Sequence, residues 1–257
     1  MYQIDYNSYR AIKGFNRRVR FLVMHYTAAD FKRSIEDLAV NGKVSVHYLI
    51  PDPTEKTYID AGFKELQIFN LVDESERAWH AGVSYWAGRV NINDSSIGIE
   101  NVNLAADHGD GIIFLPYHEA QVKAIKSLAL NILQRYPDIS PTNVVGHSDV
   151  APGRKSDPGP LFPWQELYKE GIGAWYDDAT KKEYEKIFFE HGLPIEKEII
   201  EKLGIYGYGV SHASHPDGLK ALVRSFQMHF RPADYDGRVD VETTAILYAL
   251  VKKYFNK

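Results

Sequence analysis

The chain has 257 residues and a formal net charge of −4. That length suits one large and one small folding unit, and the charge lacks the basic excess that a phosphate backbone attracts, so no nucleic-acid partner is expected. There is no cysteine, which excludes disulfides and thiolate ligands and leaves any metal to His, Asp or Glu.

The opening MYQIDYNSYRAIKGFNRRVR has no apolar signal-peptide core, and no run of about 18 apolar residues follows it. The expectation is a chain that does not span a membrane. Three origins fit: a cytoplasmic protein, export without a cleaved signal, or loss of a leader. Residues 19–24, in VRFLVMHYTA, read as a buried strand ending at His25. Residues 34–38 read as a short helix, KVSVHYLI as a second strand turning at Pro51, and KTYIDA as a third strand paired with LQIFNLV. SSIGIENVN supplies a strand over residues 97–102. Over residues 118–136, Ala120, Ala124, Ile125, Leu128 and Ile132 recur at helical spacing up to Pro137, which marks an amphipathic helix. NVVGHSDV is a last strand that leads into GHSDVAPGRKSDPGP.

Strands and helices alternate to about Gly173, the pattern of an α/β unit with a central mixed sheet flanked by helices. Beyond GAWYDDAT the period is helical over residues 181–191, 195–203, 218–229 and 241–254. We therefore expect a catalytic unit over residues 1–178, a link at residues 175–178, and a small all-α unit over residues 179–257.

His25 and His147 each stand at a strand end, where α/β sheets build sites. Asp157 can return to them from the proline-stiffened loop. Two imidazoles and one carboxylate are a catalytic zinc set with a position left open. Asp149 is the rival third ligand, but its short return from His147 suits a bracing role better. Such a site acidifies bound water, and it still needs a base and an oxyanion partner. Glu100, alone on an isoleucine-rich strand, is the base candidate, and Lys155 is the cation candidate. Trp79, His80 and Trp86 in RAWHAGVSYW are candidates for a substrate groove beside the metal.

The segments FLVMHYTA, VSVHYLI, RAWHAGVS, NDSSIGIENVN and VVGHSDVAPGRKSDPGPLFPW resemble, in order and spacing, the zinc-dependent N-acetylmuramoyl-L-alanine amidases related to peptidoglycan-recognition proteins. The resemblance implies one zinc ion per chain on His25, His147 and Asp157, catalysis by Glu100, an oxyanion steadied by Lys155, and peptidoglycan or muropeptides as partners. Some relatives carry a tyrosine where this chain has Val46, which shifts the burden to Glu100. LVRSFQMHFRPADYDGRVDVETTAILYAL resembles a three-helix peptidoglycan-binding module. The pairing is similar to the two-domain amidases of Gram-negative bacteria, and it implies a periplasmic protein, exported without a cleaved signal. Two other readings fit the same residues: a recognition protein without catalysis, and a zinc peptidase cutting within the stem peptide. The sequence leaves homo-oligomerisation open.

Overall fold

The computed structural model describes residues 2–255 apart from His108 and Asp110. In chain order the strands are β1 (Phe21–Tyr26), β2 (Tyr48–Ile50), β3 (Phe69–Asn70), β4 (Tyr85–Trp86), β5 (Arg89–Val90), β6 (Ser96–Asn101), β7 (Ala106–Asp107), β8 (Ile112–Ile113) and β9 (Val144–Gly146). Five of them form the central sheet, in the order β3-β2-β6-β1-β9. The sheet is parallel except for β3, which runs antiparallel to β2 at the edge. Phe21, Leu22, Val23 and Met24 of β1 are all buried. That is what a central parallel strand covered on both faces requires, and it explains the unbroken apolar run.

The helices are α1 (Phe31–Ile35), which passes into a π-helical turn at Glu36–Val40, α2 (Lys56–Asp60), α3 (Glu119–Arg135), α4 (His147–Val150), α5 (Trp164–Lys169), α6 (Asp178–His191), α7 (Glu196–Tyr206), α8 (Pro216–Phe230) and α9 (Val241–Tyr254). The mixed α/β architecture is the expected one, with helices following in the last part of the chain.

Several local readings change. KTYIDA is helix α2, because the Glu55 carboxylate caps it by accepting from the N–H groups of Thr57 and Tyr58. The second strand shrinks to Tyr48–Ile50. Just before it, the ring of His47 replaces a ladder carbonyl, its Nδ1 accepting the Gly98 N–H at 3.0 Å. After Gly146 the chain turns helical, since the Asp149 carboxylate reaches back to accept the Gly146 N–H at 2.7 Å. His147 thus begins a helix rather than ending a strand.

Residues 175–178 do not form a free tether. Trp175 is only 5% exposed, its N–H donates to the Tyr254 hydroxyl, and Asp177 pairs with Lys253 at 2.5 Å. One apolar core runs through both parts of the chain, joining Phe21, Ile97 and Val144 to Tyr208, Phe226 and Leu250.

Candidate active site

The site lies at the carboxyl ends of β1, β6 and β9. His25 belongs to β1, His147 opens α4 directly after β9, and Asp157 returns on the following loop. The Ser148 N–H holds that return by donating to the Asp157 carbonyl at 2.8 Å. Gly146 makes room for it, since a Cβ there would lie 2.7 Å from Pro158 Cδ. As a result His25 Nδ1, His147 Nδ1 and Asp157 Oδ2 stand 2.9–3.0 Å from one another, all three side chains buried.

The far side of each ring fixes its orientation. His147 Nε2–H donates to the Ala81 carbonyl at 3.0 Å, which leaves Nδ1 as the lone-pair nitrogen. His25 Nε2 meets His80 Nδ1 at 3.0 Å, and His80 Nε2 meets Ser96 Oγ at 3.1 Å. With Nε2–H donating at each step, His25 also turns a bare Nδ1 toward Asp157. Burial, and next the neighbouring His147, hold His25 down to about 4. Burial pushes the Asp157 carboxyl up, but the two imidazoles prevail and hold it well below the usual range. The cluster is a buried carboxylate facing two imidazoles, and burial disfavours the charged form of the His25 ring. This donor set fits a divalent cation.

Glu100 lines a cavity of about 330 Å³ together with Tyr26, Trp79, His80, His147, Lys155 and Asp157. Its Oε2 is enclosed without a hydrogen-bond partner among the described residues. Burial, and then the charge of Asp157, push its carboxyl well above the usual range, while Lys155 opposes them. A carboxylate with this bias takes up a proton readily, as a general base must.

The three groove candidates separate. Trp79 is 54% exposed on the cavity wall. His80 lies behind His25, where only a glycine fits opposite, since a Cβ on Gly98 would approach its ring to 2.7 Å. Trp86 does not line the groove. It is 1% exposed, its Nε1–H donates to the Thr142 carbonyl, and it packs edge-on against Tyr208 with ring centroids 4.7 Å apart. The reason is strand alternation on β4, where Tyr85 faces outward and Trp86 inward, before the chain turns at Ala87 and Gly88. Val46 is buried and apolar. Asp149 points away from the metal cluster, toward α8.

Sequence reasoning missed Arg154, whose Nη2 donates to the carbonyls of Ala81 and Val83 at 2.7 Å and so fixes the segment that receives the His147 proton. It also missed Asn93, whose Oδ1 accepts the N–H groups of His80 and Ala81, and Asn101, whose side chain donates to the His25 carbonyl. The one advance signal was the adjacent cation pair Arg154–Lys155.

A profile described as N-acetylmuramoyl-L-alanine amidase matches residues 15–160. The chain is 42% identical over 254 residues to the N-acetylmuramoyl-L-alanine amidase AmiD of Escherichia coli K12, covering 98% of this chain and 89% of that protein. Among solved structures, AmpDh3 from Pseudomonas aeruginosa superposes with a TM-score of 0.96 at 57% identity, with 99% of each chain covered. AmpDh3 is also known in complex with anhydromuramic pentapeptide. The complex of Escherichia coli AmiD with anhydro-N-acetylmuramic acid-L-Ala-D-γ-Glu-L-Lys superposes with a TM-score of 0.86 at 41% identity, covering 100% of this chain and 96% of that one.

Proposed function

This chain belongs to the N-acetylmuramoyl-L-alanine amidase family, and on that premise we propose that it hydrolyses the amide between the lactyl group of N-acetylmuramic acid and the L-alanine of a peptidoglycan stem peptide, with one zinc ion held by His25, His147 and Asp157. The observation that carries the reading is the convergence of those three donor atoms within 3.0 Å of one another, beside a cavity lined by His147, Asp157, Glu100 and Lys155.

When bound, zinc supplies positive charge that polarises the scissile carbonyl and acidifies water. The chain's own residues do the rest. Glu100 accepts the proton of the water that attacks the lactyl carbonyl carbon. Lys155 holds the negative charge that develops on the carbonyl oxygen, a contribution of about 10²- to 10³-fold. The C–N bond breaks as Glu100 passes its proton to the alanine nitrogen, leaving a lactyl carboxylic acid and a free stem-peptide amine. Trp79 offers an exposed indole face to the sugar. The muramyl peptides bound by AmpDh3 and AmiD support a ligand of this class.

We place the activity at the cell wall, on the periplasmic side, with peptidoglycan or its fragments as the partner. The likeness of the last helices to a peptidoglycan-binding module supports this. No helix of the described residues is long and apolar enough to cross a membrane. Mass spectrometry of muropeptide digests tests the reading. The expected products are a muramyl glycan and an intact stem peptide with a free L-alanine amine. Release of D-amino acids, or no turnover by zinc-loaded protein, would overturn it.

A further inference from the structure

His147 opens a helix of four residues, and a single turn has too few internal hydrogen bonds to hold itself. What holds α4 is Asp149. Its carboxylate is fully buried (0% exposed) and accepts three hydrogen bonds. The Gly146 N–H and His229 Nδ1–H reach Oδ2 at 2.7 and 2.6 Å, and the Tyr208 hydroxyl reaches Oδ1 at 2.6 Å. Two of these three donors come from beyond residue 178. A buried carboxylate is costly unless so satisfied, so its position follows its donors.

The donors are themselves fixed. The imidazole of His229 is stacked between Trp164 and Phe230, with ring centroids at 3.8 and 3.9 Å. Tyr208 packs edge-on against Trp86. The loop between His147 and Asp157 also rests on α8, since a Cβ on Gly153 would lie 3.0 Å from that of Ala221.

We propose that Tyr208 and His229 are positioning residues for the metal centre. They fix Asp149, Asp149 fixes the first turn of α4 through the Gly146 N–H, and that turn aims His147 Nδ1 at His25 and Asp157. The helical region thereby completes the frame of the zinc site. This inference rests on the zinc-amidase reading above.

Zinc affinity of the full chain, measured by competition with a chromophoric chelator, tests the clamp. Melting and near-UV circular dichroism of the metal-free protein are recorded alongside. Tyr208→Phe removes one hydroxyl and keeps the ring. His229→Ala removes the donor, and His229→Asn restores an N–H where Nδ1 stood. Tyr208→Phe and His229→Ala each weaken zinc binding by about 10- to 100-fold, the usual effect of losing a partner behind a ligand, and His229→Asn recovers most of the loss. A purely structural role groups the variants differently: His229→Ala and His229→Asn, which both lose the stacked imidazole, melt alike and bind zinc like the parent once folded. That outcome overturns the clamp, as does parent-like affinity in Tyr208→Phe, the variant that decides the matter should the His229 substitutions fail to fold. A parent chain that binds no zinc overturns the zinc reading and the clamp together. A parent that binds zinc, with variants that match it, overturns the clamp alone.

Discussion

His25 and Glu100 are register partners on the adjacent parallel strands β1 and β6. Residues at matched positions on neighbouring strands project to the same face of the sheet, so the pairing that builds the sheet also sets a proposed metal ligand beside the proposed base. Both stand one residue from the carboxyl end of their strands, where open α/β sheets leave a crevice.

Glu100→Gln should retain zinc and lose turnover. The amide matches the carboxylate in shape and cannot take a proton from water, so kcat should fall by at least about 10²-fold. Metal content is measured on the same preparation. A variant with full zinc and near-parental kcat would assign the base elsewhere.

The same substitution should stabilise the metal-free protein, and only above acid pH. Burial raises the Glu100 carboxyl in the folded state, so the folded chain keeps a proton that the unfolded chain releases, and stability falls as pH rises. Below about pH 4, near the unfolded value, both forms are protonated and no penalty exists. Through the raised folded value the penalty grows to its full size. Glutamine carries none of it, so the Gln variant should melt higher than the parent at pH 8 and equally at pH 4. A difference independent of pH would refute this account.

Chelation should abolish turnover and leave the far-UV circular dichroism nearly unchanged. The three ligands join elements whose cores are already packed, and catalytic zinc is not a scaffold. Full activity in metal-free protein is the outcome that sinks the mechanism.

Trp79→Ala and Trp86→Ala should part company. The first removes an exposed ring from the cavity wall and should raise KM roughly fivefold, worth about 1 kcal/mol of stacking, with little change in melting temperature. The second empties a buried site and should cost about 3–5 kcal/mol of stability. Urea denaturation beside steady-state kinetics separates them, and equal effects on KM would return Trp86 to the groove.

A chain ending at residue 177 should not form a competent site. It leaves Trp86 without Tyr208, and Asp149 without the donors that neutralise a buried charge. Near-UV circular dichroism should collapse and zinc affinity should be lost with it. A truncated protein that folds and binds zinc would contradict the shared core.

The His25–His147–Asp157 cluster was legible because its chemistry is concentrated: one histidine near the end of a strand, a second just past another and an aspartate on a proline-rich return are few enough to find by type and spacing. The long helix α3 was legible from its period. The short strands were not. Around His47 a ring nitrogen stands in for a backbone carbonyl, an exchange that β-propensity does not register. KTYIDA carries the β-favouring Thr57, Tyr58 and Ile59, and the cap that decides against a strand belongs to the preceding Glu55. Trp86 was misread because closeness in sequence to Trp79 and His80 says nothing of direction, and on the two-residue strand β4 it is Tyr85 that faces outward. Asp149 was read as a brace, but its partners lie 59 and 80 residues further along the chain, beyond the reach of any local pattern.

The buried Trp175 and the shared core have a geometrical consequence. A catalytic unit on a flexible tether sweeps a volume around its anchor and can cut anywhere within the linker's reach. Here the cutting cavity and the helical surface turn as one body, with no slack between them. Were the proposed wall-binding helices to hold a glycan strand, the bond presented to Glu100 would lie at a set offset and angle from that hold. Cuts made from such a hold would be spaced by the polymer's own repeat.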